Sequence, residues 1–287
     1  MKTLTQALLT ATLTLAAMGC GAQEGTPETS IAQSALNEPQ PGDVLDMGSV
    51  VVSSSPNDSM LFADFQKDAP WDCSTEDIGP CELSRCPTAY GVGTPTNAGK
   101  ITITGGLSAL EMIPNESGTY DMQFLDRALF TPGTRVHIRA EGNPQGAPRF
   151  HVGLWTPPAF DLLAPTFPAS PEEPPMSVAR SAAIDVQWGG AALSYHRQGR
   201  IRTVIQTFPM DPSEDTYTLV CKFKPHQGAG QIPAEALSRL PAGPGIFTVD
   251  GATEISRNRR GWYLQTWAAL AFTMMEPGAT GGMIELE

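Results

Sequence analysis

Five basic side chains recur at every second position in two short segments of the chain: Arg135, His137 and Arg139 in the first, Arg149 and His151 in the second. Residues two apart in a β-strand point to the same face of the sheet. Guanidinium groups form bidentate hydrogen bonds with carboxylate, sulfate and phosphate groups. The pattern therefore predicts a basic sheet face, which either contacts anionic groups, for example on a glycan, or is simply solvated.

The two histidines could instead ligate a metal ion, with Glu141 nearby as a third ligand. The neighbouring arginines would repel a cation, and the spacing does not define the third ligand. His196 and His226 are isolated in the sequence, and Arg257, Arg259 and Arg260 fall in a turn-like segment where a solvated loop is expected. We expect neither a metal nor a cofactor.

Local catalytic motifs are missing from the sequence. It contains no Gly-x-Ser-x-Gly nucleophile elbow, no His-Glu-x-x-His pair, no Gly-rich phosphate loop and no calcium-loop pattern. Many hydrolases have no such signature, because the two carboxylates of a glycosidase need to meet only in space. The sequence favours a non-enzymatic protein and leaves open a polysaccharide hydrolase.

The cysteines divide into one near the N-terminus, Cys20, and four others: Cys73, Cys81, Cys86 and Cys221. An even number of cysteines in an oxidising compartment predicts two disulfides, with three possible connectivities. Cys221 alternates with apolar residues between 217 and 223, so it should point inward and pair with one of the other three. A zinc site is the rival interpretation, but the spacing Cys-x7-Cys-x4-Cys matches no common zinc motif.

The N-terminal segment has the layout of a secretory signal peptide. Lys2 precedes an uncharged stretch from 4 to 17, which is too short to span a bilayer. The ending Ala17-Met18-Gly19-Cys20 resembles the lipobox of bacterial lipoproteins, and this resemblance implies a lipid on Cys20. Several acyl chains on one residue give a durable membrane anchor. The alternative is an ordinary signal peptide cut near Cys20.

Composition limits the class of partner. The chain has 287 residues and a formal charge of −12, and removal of residues 1–19 takes away one lysine and no acid. Such an acidic protein is a poor partner for nucleic acid or an anionic membrane surface. Gly and Pro are abundant, at 28 and 26 residues, and long helix-period segments are missing.

The composition also predicts an organisation along the chain. Gly, Pro, Ser, Thr and Glu dominate after the leader, and seven prolines fall between 157 and 175. The predicted parts are a signal peptide (1–19), a flexible tether (20–45), N-terminal strands with a loop-rich cysteine head (46–98), a first β half (99–168) and a second β half (176–287).

Periodicity of two predicts most of the strands. The clearest hairpin joins Arg135–Ala140 to Arg149–Leu154, and a turn symmetric about Pro144 would place His137 opposite His151. A second hairpin is expected between 110–113 and 120–124, and a short helix between 233 and 240.

A family resemblance runs from about residue 73 to 250. It is carried by Cys73, Gly79-Pro80-Cys81, Cys86-Pro87, the strand from Gly99 to Gly106, Val220-Cys221-Lys222-Phe223, and Ile232-Pro233-Ala234 running into Leu237-Ser238-Arg239-Leu240-Pro241. This layout resembles uncharacterised secreted lipoproteins of myxobacteria. It implies a lipid-anchored or secreted β-sandwich with paired cysteines, and it brings no activity.

The sequence thus predicts an all-β protein with an antiparallel β-sandwich, either as one domain or as two immunoglobulin-like halves, preceded by a disulfide-tied loop-rich segment. We expect a lipid-anchored cell-envelope protein at the outer membrane, or else a secreted or periplasmic one. The expected role is a non-enzymatic binding or structural module for a glycan or protein ligand. The alternative is a secreted β-sandwich hydrolase that acts on polysaccharide.

Overall fold

The computed structural model describes these residues: 41–87, 93–170, 172–190, 199–209, 211, 214–274, 276 and 278–287. The expected signal peptide, Cys20, most of the expected tether and His196 lie outside them. Nothing structural is therefore said of the lipid attachment.

The described residues are almost entirely β, which confirms the predicted class. The expected helix is one short turn. The elements are β1 (Asp43–Ser54), β2 (Ser59–Trp71), β3 (Ser74–Ile78), β4 (Cys81–Cys86), β5 (Thr94–Pro95), β6 (Ile101–Thr104), β7 (Leu110–Met112), β8 (Gln123–Leu125), β9 (Arg135–Ala140), β10 (Phe150–Trp155), β11 (Asp161–Ala164), β12 (Met176–Val178), β13 (Ile184–Gly189), β14 (Arg200–Thr207), β15 (Thr216–Phe223), a 3-10 turn (Pro225–Gln227), β16 (Ala229–Ile232), α1 (Ala234–Ser238), β17 (Gly243–Arg259), β18 (Trp262–Leu270) and β19 (Gly281–Leu286).

Three sheets contain these strands. The largest has 12 strands, with the path β3-β4-β15-β14-β17-β18-β1-β2-β5 and with β8, β12 and β19 attached beside it. The others have the orders β10-β9-β6-β7 and β11-β13-β16. Most pairs are antiparallel, as predicted, but β1 pairs in parallel with β18 and β12 with β19.

Each smaller sheet packs on part of the large sheet and encloses a core. The first core joins β1, β2 and β18 to the four-stranded sheet, around Phe65 and Ile138. The second joins β14, β15, β17 and β19 to the three-stranded sheet, around Ile205 and Phe247. The two sandwiches share β17, because residues 245–252 pair with β14 and residues 252–259 pair with β18.

The large sheet coils until its two ends meet. Six steps between neighbouring strands, of about 4.8 Å each, separate β4 from β2. Cys73 nevertheless follows β2 closely and is bonded to Cys86 at the end of β4, with the two Cα atoms 4.2 Å apart. Trp71 packs against this disulfide together with the partly buried Met47. The disulfide therefore covalently joins opposite ends of one coiled sheet.

The second disulfide ties Cys81 to Cys221, directly across the β4–β15 pair. The prediction that all four cysteines pair, with Cys221 bonded to one of the other three, is confirmed. The cysteine head, expected to be loop-rich within residues 46–98, instead contains regular strands. β2 extends to Trp71, and β3 and β4 are regular strands. Most side chains of β4 are buried on both faces, so they show no period of two.

The hairpin expected between residues 110–113 and 120–124 does not form. β7 pairs with β6, whereas β8 pairs with β2. The intervening turn closes on itself, because the side-chain oxygen of Asn115 accepts hydrogen bonds from the backbone amides of Ser117 and Thr119. The hydroxyl of Tyr120 then donates to the carbonyl of Gly99 and holds the chain away from β7.

The proline-rich stretch from 157 to 175 is partly built into the second sandwich. It includes β11, which pairs with β13. Phe167 is buried edge-on against Phe247, with ring centroids 5.3 Å apart. This stretch therefore carries the chain from the first core into the second and contributes a side chain to the latter.

Candidate functional site: the basic face of the four-stranded sheet

The β9–β10 hairpin sets the positions of the basic side chains. Val136, Ile138 and Val152 point into the first core, and the basic residues lie on the opposite face. The observed register places His137 opposite Gly153 and Arg139 opposite His151. The predicted pairing of His137 with His151 is therefore wrong by two residues.

The turn explains this shift. The amide of Gly146 donates to the carbonyl of Asn143, and the amide of Asn143 donates to the carbonyl of Ala147. The hairpin therefore turns about Gln145, one residue later than assumed. A shift of two positions preserves the alternation, so each side chain stays on its predicted face.

The basic residues form a compact grid with their neighbours. Arg139 lies between Thr102 of β6 and His151 of β10. His137 and His151 are diagonal neighbours whose rings stack, with centroids 5.5 Å apart and planes 25° apart. Arg135 lies at the far end of the hairpin, with its guanidinium 6.0 Å from the centroid of the Trp155 ring.

An open cleft of about 740 Å³ covers most of this face. It contains both histidines and four cationic side chains, which are Lys100, Arg139, Arg149 and Arg259. Of the five residues singled out from the sequence, the structure brings four into the cleft and leaves Arg135 beyond its edge.

Ion pairing within the cleft is uneven. The Lys100 ammonium lies 3.2 Å from a carboxylate oxygen of Glu111 and 3.8 Å from one of Glu141. Within the described part of the chain, no ion pair links Arg139, Arg149 or Arg259 to a carboxylate. Three exposed guanidiniums are therefore free to bind an anion, on a protein whose overall charge is −12.

Arg259 is the cleft residue that sequence reasoning missed. The segment around it was expected to be a solvated loop, but Arg257 and Arg259 are the last basic residues of β17. The chain turns at Arg260 and Gly261, where φ is 51° and 85°. Arg257 and Arg259 are two residues apart, and no Gly or Pro lies between Gly251 and Gly261. This pattern is the signal that could have extended the predicted strand.

A second polar cluster lies on the face of the large sheet that is turned away from both cores. Arg202 of β14 makes a two-point ion pair with Asp250 of β17, and its Nε is 3.0 Å from Oδ1. The same guanidinium lies 5.0 Å from the ring centroid of Trp267. Burial lowers the pKa of Arg202, but the ion pair with Asp250 and the attraction of Glu254 together raise it, and the net shift is upward.

Glu254 belongs to the same cluster. Its carboxylate lies 3.5 Å from the Lys222 ammonium and accepts a hydrogen bond from Ser256. Burial raises the pKa of Glu254, against the opposing attraction of Lys222. Arg202, Asp250 and Trp267 are all less than 10% exposed, so we interpret this cluster as part of the interior rather than as a ligand site.

Two further findings concern metals and membranes. Within the described residues, no three His, Cys, Asp or Glu side chains are grouped so that they could hold a metal ion. Glu141, which a metal site at the two histidines would need as a third ligand, lies beside Lys100. Among the same residues, no helix combines the length and the hydropathy that a membrane crossing needs.

Comparison with known proteins adds little to this geometry. No protein-family model matches the chain, and no curated protein is significantly similar to it. One solved structure with a detectable match is that of the FN1–FN3 domains of chicken CNTN1, at 14% identity and a TM-score of 0.18. The match covers 76% of this chain and 66% of that chain, just under two thirds of its length. At this TM-score the match carries no argument, so the β-sandwich fold rests on the sheets themselves.

Proposed function

We propose that this protein is a non-enzymatic module of the cell envelope that binds an anionic glycan on the basic face of its four-stranded sheet. The observation that carries the proposal is a group of three exposed arginines, Arg139, Arg149 and Arg259, around one open cleft. No carboxylate of the described residues forms an ion pair with them. Guanidinium groups recognise carboxylate, sulfate and phosphate by paired hydrogen bonds.

The charge distribution favours an anion-binding surface over a basic face that is merely solvated. The protein is acidic overall, yet three of its arginines lie around one cleft together with Lys100. Such a local cationic surface attracts anions in spite of the overall charge. Each charge-assisted hydrogen bond contributes about 1.5–3 kcal/mol, so two or three arginines acting together give measurable affinity.

Binding fits the cleft better than hydrolysis does. The carboxylates in the described cleft lining belong to Glu111 and Glu141, whose side chains are 51% and 57% exposed. Both lie beside the same Lys100 ammonium. The general acid of a glycosidase is kept protonated by burial in apolar surroundings. Neither carboxylate has such surroundings.

The disulfides support an envelope location for the module, and the proposed leader agrees with it. Two disulfides indicate an extracellular or cell-envelope location. We further propose that a lipid on Cys20 anchors the chain, by analogy with the lipobox. Intact mass of the protein from its native host tests this: acyl chains on Cys20 are expected, and a chain that starts elsewhere or carries no lipid contradicts it.

The test of binding is calorimetric titration of the purified protein with polygalacturonate and with a neutral glucan. We expect binding to the acidic polymer only, weakened by added salt. The double variant R139Q/R149Q should lose affinity at least about tenfold, because each lost contact contributes more than 1 kcal/mol. R127Q is the matched control, since Arg127 is exposed and is not part of the described cleft lining.

Three outcomes overturn parts of the proposal. Equal affinity for the neutral glucan, or no binding to either polymer, contradicts recognition of an anionic glycan. An unchanged affinity of R139Q/R149Q contradicts the location of the site. Release of reducing ends from the polymer supports the hydrolase alternative instead.

A further inference from the structure

We infer that the ligand is a linear acidic polysaccharide that lies along β9 and β10, from Arg149 at one end to Trp155 at the other. This inference rests on the proposed function and specifies its ligand. It follows from the length of the basic strip, from the two basic side chains that fill the space above Gly153 and from the aromatic ring at the end of the strip.

The strip is too long for a single anionic group. Arg135 and Arg139 are four residues apart on β9, which corresponds to about 13 Å along a strand. On β10, Arg149 and Trp155 are six residues apart, or about 20 Å. A free phosphate or a single carboxylate spans only a few ångströms, so it can contact only one end. A polymer with repeated charges can contact the whole strip.

Gly153 makes the strip continuous. It lies on the same face as His151 and Trp155 and has no side chain between them. A Cβ atom there would lie 2.9 Å from the Arg135 guanidinium and 3.2 Å from Nδ1 of His137. Both side chains therefore lean into the space that a larger residue would take. Arg135 and His137 thus cover β10 at Gly153 and continue the basic surface between His151 and Trp155.

Trp155 distinguishes a sugar from other anions. It is partly exposed, it shares the face of His151, and its ring packs with the guanidinium of Arg135. Sugar rings present flat apolar C–H faces, which pack on a planar aromatic side chain, while the adjacent arginine can bind a ring carboxylate. An anionic membrane is the weaker candidate, because an extended charged surface faces much of a protein with a charge of −12, whereas a single polymer chain contacts only the basic strip.

The test compares galacturonate oligomers of increasing length, from the monomer to the hexamer, by calorimetric titration. We expect affinity to rise at least about a hundredfold from the monomer to the hexamer. W155A and R135Q should each weaken binding of the hexamer at least about fivefold and leave the dimer nearly unchanged. F124A is the matched aromatic control, because Phe124 is 44% exposed and is not part of the described cleft lining. If W155A does not fold, R135Q alone tests this end of the strip.

The outcomes separate this inference from the proposed function. If monomer and hexamer bind with equal affinity, the site takes one anionic group, and the inference is wrong while the proposed function stands. If the hexamer binds but W155A and R135Q behave like F124A, the polymer does not run toward Trp155. If no galacturonate oligomer binds, and R139Q/R149Q has the same affinity for polygalacturonate as the wild type, the proposed function itself fails.

Discussion

Glu254 should make the stability of the fold depend on pH. Burial raises its pKa in the folded protein above the ordinary value. A carboxyl group with a raised folded-state pKa binds its proton more tightly when folded, so its contribution to the free energy of unfolding increases as pH falls through that pKa. Urea unfolding should show that E254Q gains less stability than the wild type between about pH 7 and pH 5.

A matched control for E254Q is E116Q, because Glu116 is exposed on a turn. E116Q should follow the wild-type curve of stability against pH. If E254Q and E116Q give the same curve, burial of Glu254 does not contribute to the pH dependence.

At the scale of elements, Gly153 is the position where a substitution should separate binding from folding. It lies in extended backbone within β10, so a β-branched residue fits the strand. G153V should displace the flexible ends of Arg135 and His137 and block the strip. We expect an unchanged or slightly raised melting temperature and an affinity for hexagalacturonate that is at least about fivefold lower. Unchanged affinity would contradict a ligand that crosses Gly153.

Alternation of polarity is what made the β9–β10 face predictable. It identified both strands, their inward and outward faces and the five basic residues. It could not identify the register, because this depends on how Asn143 and Gly146 close the turn. It also could not identify Arg259, which reaches the cleft only because β17 continues beyond β14 and runs beside β18. Segments buried on both faces, such as β4, have no period of two, so alternation of polarity does not predict them as strands.

At the scale of the whole molecule, the sequence indicates a sandwich but not how two sandwiches are joined. Composition and periodicity predict many short strands and two disulfides. The coiling of the large sheet depends on pairings between distant strands, such as the parallel pair of β1 and β18. No local pattern specifies such a pair. The cluster of Arg202, Asp250 and Trp267 likewise forms only after β14, β17 and β18 have paired.

The two disulfides should contribute unequally to the stability of this assembly. Cys81 and Cys221 are 140 residues apart in sequence, whereas Cys73 and Cys86 are 13 apart. If a crosslink acts by restricting the unfolded chain, the longer loop contributes about 5 kcal/mol and the shorter about 3 kcal/mol. Urea unfolding of C81S/C221S and of C73S/C86S should show the larger loss for the first variant. Equal losses, or the reverse order, would contradict this account.

The most direct test of the central claim is a crystal structure of the protein in complex with hexagalacturonate. We predict sugar density on the outer face of β9 and β10, with carboxylates within hydrogen-bonding distance of Arg139 and Arg149 and with one sugar ring against Trp155. The basic face would be contradicted as the binding site if the sugar density lay on any other surface, at an occupancy that matches the affinity in solution.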